Sequence, residues 1–328
     1  MIETQRSANI THISVSTSTT LTSSWLQLRK STFASSVTHL LTGLALTSLL
    51  SFPPVRACIF DVDGLLIDSE DAYTLVTNTI LRENNRPDLP WKIKAQLQGR
   101  PAPQAGVIFR EWAKLPISEE EFLARSMELQ AEAFKHCKPL PGVEVLLKRL
   151  AAAEPKVHMA LGTSSIRRNY DIKTKPMTEM FSVFKEAQIV TGADPRIPNG
   201  RGKPLPDIYL VALQTINEHI NETGTGEPEI KPEECIVFED SVPGIEAGRR
   251  AGMRVVWCPH PGLLNEYAGK EKEVLAGRTG EHKEEDIELK GSSIIKGSPG
   301  HVGEIDDGWA EQLRTLEDFD FGKYRIGS

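Results

Sequence analysis

The chain has 328 residues, 39% hydrophobic and 25% charged, which is enough for one large core and a smaller satellite domain. Its formal net charge of −7 argues against nucleic acid or an anionic membrane as the main partner. A phosphorylated small molecule stays open, because a bound metal can invert the local field of an acidic protein.

Residues 1–55 read as an extension outside the core. Twenty of the first fifty are Ser or Thr, and Glu3 is the only acid among them. The apolar part, Leu40 to Phe52, falls short of the roughly twenty residues a membrane helix needs. The composition fits a disordered extension of a cytoplasmic protein. It also fits a mitochondrial presequence, although Arg6, Arg29 and Lys30 make only a thin basic face.

The stretch from Arg56 to Ser69 organises the rest. Five mostly apolar residues read as a buried parallel strand that carries Asp61 and Asp63 to its carboxyl end, where open α/β sheets bind ligands. Strand alternation predicts that both acids leave on the same side, with Val62 turned away and Gly64 allowing a tight turn. Two carboxylates this close imply a metal, a shared proton, or both. A calcium loop is excluded, because Leu65 and Ala72 stand where its fifth and twelfth ligands belong. Taken alone, the stretch is also compatible with a solvated acidic turn.

From residue 71 to 139 apolar residues recur at helical spacing (Tyr73, Val76, Ile80; Ile93, Leu97; Val107, Ile108, Trp112), and no strand signal interrupts. Ser118 and Glu121 have the spacing of a capping box. This predicts an inserted helical domain. Strand and helix then alternate: a strand at 157–162, another at 187–190, a helix from Asp207 to about Ile220, a strand at 235–238, a helix from Pro243 to Ala251, and a strand at 254–258. The alternation predicts a doubly wound parallel α/β sheet over 56–70 and 140–328, interrupted by a helical cap at 71–139. The segments 221–229 and 269–303 read as solvated loops, and Trp309, Leu313, Leu316, Phe319 and Phe321 as a tail that docks on the core. Cys58, Cys137, Cys235 and Cys258 lack metal-ligand spacing and read as buried thiols in a reducing compartment.

Three further motifs stand at strand ends. Gly162-Thr163-Ser164-Ser165 can offer a hydroxyl and an N–H to an anion, or simply cap a helix. Lys203, between Gly202 and Pro204, can neutralise charge on a nucleophile and a phosphate, or be an exposed loop lysine. Glu239 and Asp240 end an apolar strand as Asp61 does, and can supply oxygen ligands to Mg²⁺ or cap the following helix.

These four strand-end motifs in this order, with a helical insertion after the first, resemble the haloacid dehalogenase-like phosphohydrolase superfamily. The resemblance implies that Asp61 is a nucleophile toward phosphorus and Asp63 a general acid/base. It implies further that Thr163 and Ser164 bind the phosphoryl group and that Lys203 balances charge. Mg²⁺ would be held by Asp61, Glu239, Asp240 and Asp63, the last through its backbone carbonyl. Asp63-Gly64 resembles the phosphatase branch rather than the dehalogenases, and a cap after the first strand implies that substrate choice lies there. Arg100 is the candidate cap residue for reaching substrate, or else a solvated arginine. Tyr170-Asp171-Ile172-Lys173-Thr174, Val190-Thr191-Gly192-Ala193-Asp194-Pro195 and Pro206-Asp207-Ile208-Tyr209-Leu210 are similar to the pseudouridine-5′-phosphatase group. The implied activity is hydrolysis of a small nucleotide or sugar phosphate through an aspartyl-phosphate, by a monomer or weak homodimer. A phosphosugar mutase of the β-phosphoglucomutase type and a glycerol- or sugar-phosphate phosphatase are the alternatives.

Overall fold

The computed structural model describes residues 52–279 and 301–327. The expectations for 1–51, and for 280–300 of the charged loop, lie outside the described residues. Six strands form one parallel sheet in the order β3-β2-β1-β4-β5-β6. They are β1 (Ala57–Phe60), β2 (His158–Gly162), β3 (Ile189–Val190), β4 (Cys235–Glu239), β5 (Arg254–Trp257) and β6 (Ala310–Gln312). The expected doubly wound sheet is therefore present.

β1, β2, β4 and β5 are buried along their whole length, because apolar layers cover both faces of the sheet. Cys58 and Phe60 face a cluster with Leu146, Leu147 and Leu150 of the helix Val143–Ala151. Ala57 and Ile59 face the opposite layer, with Val211 and Ala212 of the helix Asp207–Thr223 and Ile245 of the helix Val242–Arg250. Phe60 pairs with Leu161 on one side and Phe238 on the other, so three strand ends lie level. The chain fills the β2 side of β1 first and then crosses to β4. That makes the carboxyl end of β1 the switch point where a crevice opens.

Between β1 and β2 the described chain is helical: Ser69–Glu83, Trp91–Leu97, Ala102–Ala113 and Glu119–Ala133. The capping box forms, with the Glu121 N–H donating to Ser118 Oγ at 3.1 Å and the Ser118 N–H to Glu121 Oε2 at 2.8 Å. Leu81, Phe109 and Ala113 make a small apolar cluster of their own, with Trp112 and Phe122 against it. The entry and exit of this segment are tied together: Asp68 N–H donates to the Lys138 carbonyl at 3.0 Å, and Leu140 N–H to Leu66 at 3.1 Å.

Three features depart from the sequence reading. β6 is polar and three residues long, so it carries no apolar signal, and main-chain bonds such as Val255 N–H to the Trp309 carbonyl (2.9 Å) hold it beside β5. A short helix, Glu271–Ala276, lies in a stretch read as solvated loop, because only Val274 and Ala276 give it a buried side. The packed region also starts before residue 56: the Phe52 ring meets Trp309 edge-on at 5.3 Å and Val55 is buried. The tail docks as expected, with Leu316, Phe319 and Phe321 buried. All four cysteines are buried free thiols. No helix among the described residues is long and apolar enough to cross a membrane.

Candidate active site

The loops after β1, β2 and β4, and the one before the helix Asp207–Thr223, converge at the switch point. Lys203 is fully buried, and its Nζ donates to Asp61 Oδ1 at 2.5 Å and to Glu239 Oε1 at 2.6 Å. Glu239 is closely held: Oε1 also accepts from the Tyr209 hydroxyl at 2.6 Å, and Oε2 accepts the N–H groups of Asp240 and Ser241 (both 2.9 Å) and the Ser241 hydroxyl (3.0 Å). One oxygen each of Asp61, Glu239 and Asp240 lies within 4.8 Å of the others. Lys203 is thus an anchored cation rather than an exposed loop lysine.

Asp63 takes different partners. The strand ends at Phe60 and the chain turns at Gly64 (φ +78°), so strand alternation no longer sets the direction of this side chain. Its Oδ1 accepts from Lys173 Nζ and from the Ser69 hydroxyl (2.5 Å). Its Oδ2 accepts from the Ser165 hydroxyl (2.6 Å) and, at the 3.5 Å limit, from Thr163. Each of the paired acids has its own buried lysine, which is how two close carboxylates are accommodated. Sequence reasoning assigned no role to Lys173 or Ser69, and took Ser165 only as an anion-binding or helix-capping member of its motif, not as a partner of Asp63. A signal for Lys173 was present: it lies on the buried side of the helix Arg167–Thr174 together with Tyr170 and Thr174, where a charge requires a partner.

Thr163 is buried, and its hydroxyl accepts the Ser165 N–H at 3.1 Å. Ser164 instead donates to the Gly99 carbonyl of the helical segment at 3.0 Å. From that segment it is Gln98 whose amide reaches Asp240 Oδ2. Arg100 donates Nε to the Gln96 carbonyl at 2.7 Å and stands near Tyr267 and Glu246.

Glycine permits the close approaches. A Cβ on Gly64 would overlap Asp240 Oδ2, and one on Gly244 would overlap the Glu239 carboxylate. Gly244→Ala is therefore expected to displace Glu239 and to weaken any binding of a divalent cation to this acidic cluster roughly 10- to 100-fold, as loss of a supporting contact does. Titration of the variant with Mg²⁺ by calorimetry checks this.

A profile of the haloacid dehalogenase-like hydrolases matches residues 55–252. The chain belongs to this family. It is 42% identical, over 68% of its length and 90% of the relative, to a Saccharomyces cerevisiae protein named "Probable pseudouridine-5'-phosphatase". It is 34% identical to "(DL)-glycerol-3-phosphatase 2" of Arabidopsis thaliana, over 62% of this chain and 80% of that one. The fold is shared with CbbY from Rhodobacter sphaeroides, solved in complex with phosphate. That match has a TM-score of 0.54 at 16% identity and covers 80% of this chain and 96% of the other.

Haloacid dehalogenase-like phosphatases generally use a divalent metal, and the donors here fit one. All three acids are oxygen ligands of the kind hard cations take, and together they exceed the charge of one lysine. Burial pushes the Asp61 carboxyl up to about 7 against the opposing pull of Lys203, with Glu239 and Asp63 adding to the rise. Burial and the Glu239 charge push Asp240 well up as well. Burial acts on Asp63 too, but Lys173 and the hydroxyls outweigh it and hold that carboxyl below its ordinary value.

A stability profile follows. The folded value for Asp61 lies above the roughly 3.9 of an unfolded aspartate, so the folded metal-free protein binds the extra proton. The Asp61 contribution is fully present below the unfolded value and is lost as pH rises toward about 7. A cation that binds the ionised cluster reverses this. The rise in Tm on adding Mg²⁺ is therefore expected to be small near pH 5 and to grow up to about pH 8. Thermal scans with and without the ion check it.

Proposed function

We propose that this hydrolase is a Mg²⁺-dependent phosphomonoesterase that carries the phosphoryl group on Asp61. The observation that supports it is Lys203 bridging Asp61 and Glu239, with Asp240 closing the same acidic cluster. An Asp61 oxygen attacks phosphorus and the ester P–O bond breaks, while Asp63, held ionised in the free protein, gives the leaving oxygen the proton it takes up when the negatively charged ester binds beside it. Water then attacks the aspartyl-phosphate with Asp63 accepting its proton, and phosphate leaves with Asp61 restored. Lys203 pulls Asp61 toward its ionised form against the effect of burial and faces the phosphoryl oxygens as charge builds on them. Thr163, whose hydroxyl reaches Asp63 only at 3.5 Å in the free protein, turns it to the phosphoryl group when substrate binds, and Ser164 ties that loop to Gly99.

Asp61 and Asp240 would hold the Mg²⁺, and the Asp63 carbonyl would add a further oxygen ligand. Glu239, whose oxygens already accept five hydrogen bonds (two on Oε1 and three on Oε2), adds charge from behind. The ion supplies positive charge against the phosphoryl oxygens. The helical segment 71–139 serves as the cap that excludes water and selects substrate. Gln98 contributes there, and Arg100 is the cap residue for the substrate's hydroxyls.

The substrate is a small nucleotide or sugar monophosphate, and pseudouridine 5′-phosphate is the first candidate, since a relative at 42% identity carries that name. Purified protein with Mg²⁺ is to be tested on pseudouridine 5′-phosphate, other nucleoside monophosphates, glycerol 3-phosphate and β-glucose 1-phosphate. If pseudouridine 5′-phosphate ranks no higher in kcat/KM than the others, the substrate assignment fails while the chemistry stands. Glucose 6-phosphate in place of free phosphate would replace the hydrolase with a mutase.

A further inference from the structure

Lys173 is a fully buried cation that the reaction as written does not use. It lies 34 residues beyond the end of the helical segment at residue 139, yet its side chain is enclosed by both ends of that segment. Its Nζ donates to Asp63 Oδ1, to the Ser165 hydroxyl at 2.7 Å and to the Tyr73 hydroxyl at 3.2 Å. The ammonium stands 5.1 Å from the Tyr73 ring and 5.2 Å from that of Phe134. Tyr73 belongs to the first helix after β1, and Phe134 to the turn that ends the helical segment.

A purely structural account of this lysine is weak. Burying an ion pair costs about as much in desolvation as the attraction returns, and apolar replacements of similar volume are often neutral. What the arrangement does supply is direction. Four donors, Lys173 and Ser69 on one oxygen and Ser165 and Thr163 on the other, fix the plane of the Asp63 carboxylate. A proton donor must be placed within a few tenths of an ångström to act on a leaving oxygen.

We propose that Lys173 is a positioning residue: by gripping Asp63 between the two ends of the helical segment, it sets the orientation from which Asp63, once it has taken up a proton in the substrate complex, delivers it to the leaving group. This rests on the assignment of Asp63 as the general acid made above. Ser165 is the second half of the grip, since it bonds both Asp63 and Lys173.

The leaving group separates this role from a structural one. A p-nitrophenolate departs with little help from an acid, whereas an alkoxide needs the proton. kcat/KM reports only the steps up to that departure. Lys173→Met is expected to lower kcat/KM for glycerol 3-phosphate on the order of 100-fold, and for p-nitrophenyl phosphate by less than about threefold. Ser165→Ala, a milder change, is expected to show the same selectivity at about 10-fold. It keeps the test decisive if Lys173→Met does not fold. Lys173→Arg, which keeps the charge, should recover part of the lost activity on the alkyl ester.

Asp63→Asn is the reference, and should show the selectivity in full. If Asp63→Asn is selective but Lys173→Met and Ser165→Ala lower both esters equally, or neither, the assignment of Lys173 is overturned. If Asp63→Asn itself falls equally on both esters, Asp63 is not the acid, and the role of Lys173 falls with it.

Discussion

Asp61→Asn is expected to lower phosphate release on the order of 10,000-fold or more while leaving the fold intact. Asparagine keeps the size and hydrogen-bonding edge of the side chain but cannot form an acyl phosphate, and removing a nucleophile that carries an intermediate costs most of the catalysis. The same change is expected to leave the metal-free protein at least as stable near pH 8. Asp61 is 5% exposed and its carboxyl is pushed up to about 7, so keeping it ionised above that pH costs free energy that asparagine does not. Lost turnover at unchanged or raised Tm is thus the expected pair of results. Turnover lost together with stability would instead make Asp61 a structural anchor for Lys203.

Lys203→Met is expected to damage both properties. The lysine makes short bonds to Asp61 and Glu239, at 2.5 and 2.6 Å, in a setting from which water is excluded. Methionine fills the space and leaves buried carboxylates without that cation, which costs about 3–5 kcal/mol when one partner of a buried pair is removed. Loss of its charge against the phosphoryl oxygens lowers kcat by roughly 100- to 1,000-fold. Part of the stability should return with Mg²⁺, because the ion replaces the missing positive charge. Urea unfolding with and without the ion measures this. A variant as stable as the parent in the absence of metal would mean that Asp61 and Glu239 share a proton and need no cation.

The strands that build the sheet were legible because they are apolar, wholly buried and separated by amphipathic helices. β6 was not, since a polar three-residue edge strand is defined by its main-chain partner and not by its side chains. Asp61, Lys203, Glu239 and Asp240 could be found because each sits at a strand end or beside a proline, where a charge has an address. Lys173 lies within a helix, and only the fold brings it to Asp63 across 110 positions of sequence. Arg100 attracted attention by its charge, whereas the neutral Gln98, which reaches Asp240 next to the close approach of Gly99 to Ser241, gave no signal in the sequence.

The central claim is that phosphorus is carried on Asp61, and chemical trapping tests it most directly. An aspartyl-phosphate is reduced by borohydride to homoserine, so the protein, or the slower Asp63→Asn variant, is to be quenched during turnover with Mg²⁺ and a phosphomonoester, then digested and read by mass spectrometry. Homoserine at position 61, absent without substrate, is the expected result. Phosphate release with no modification at position 61 in either protein would contradict the account.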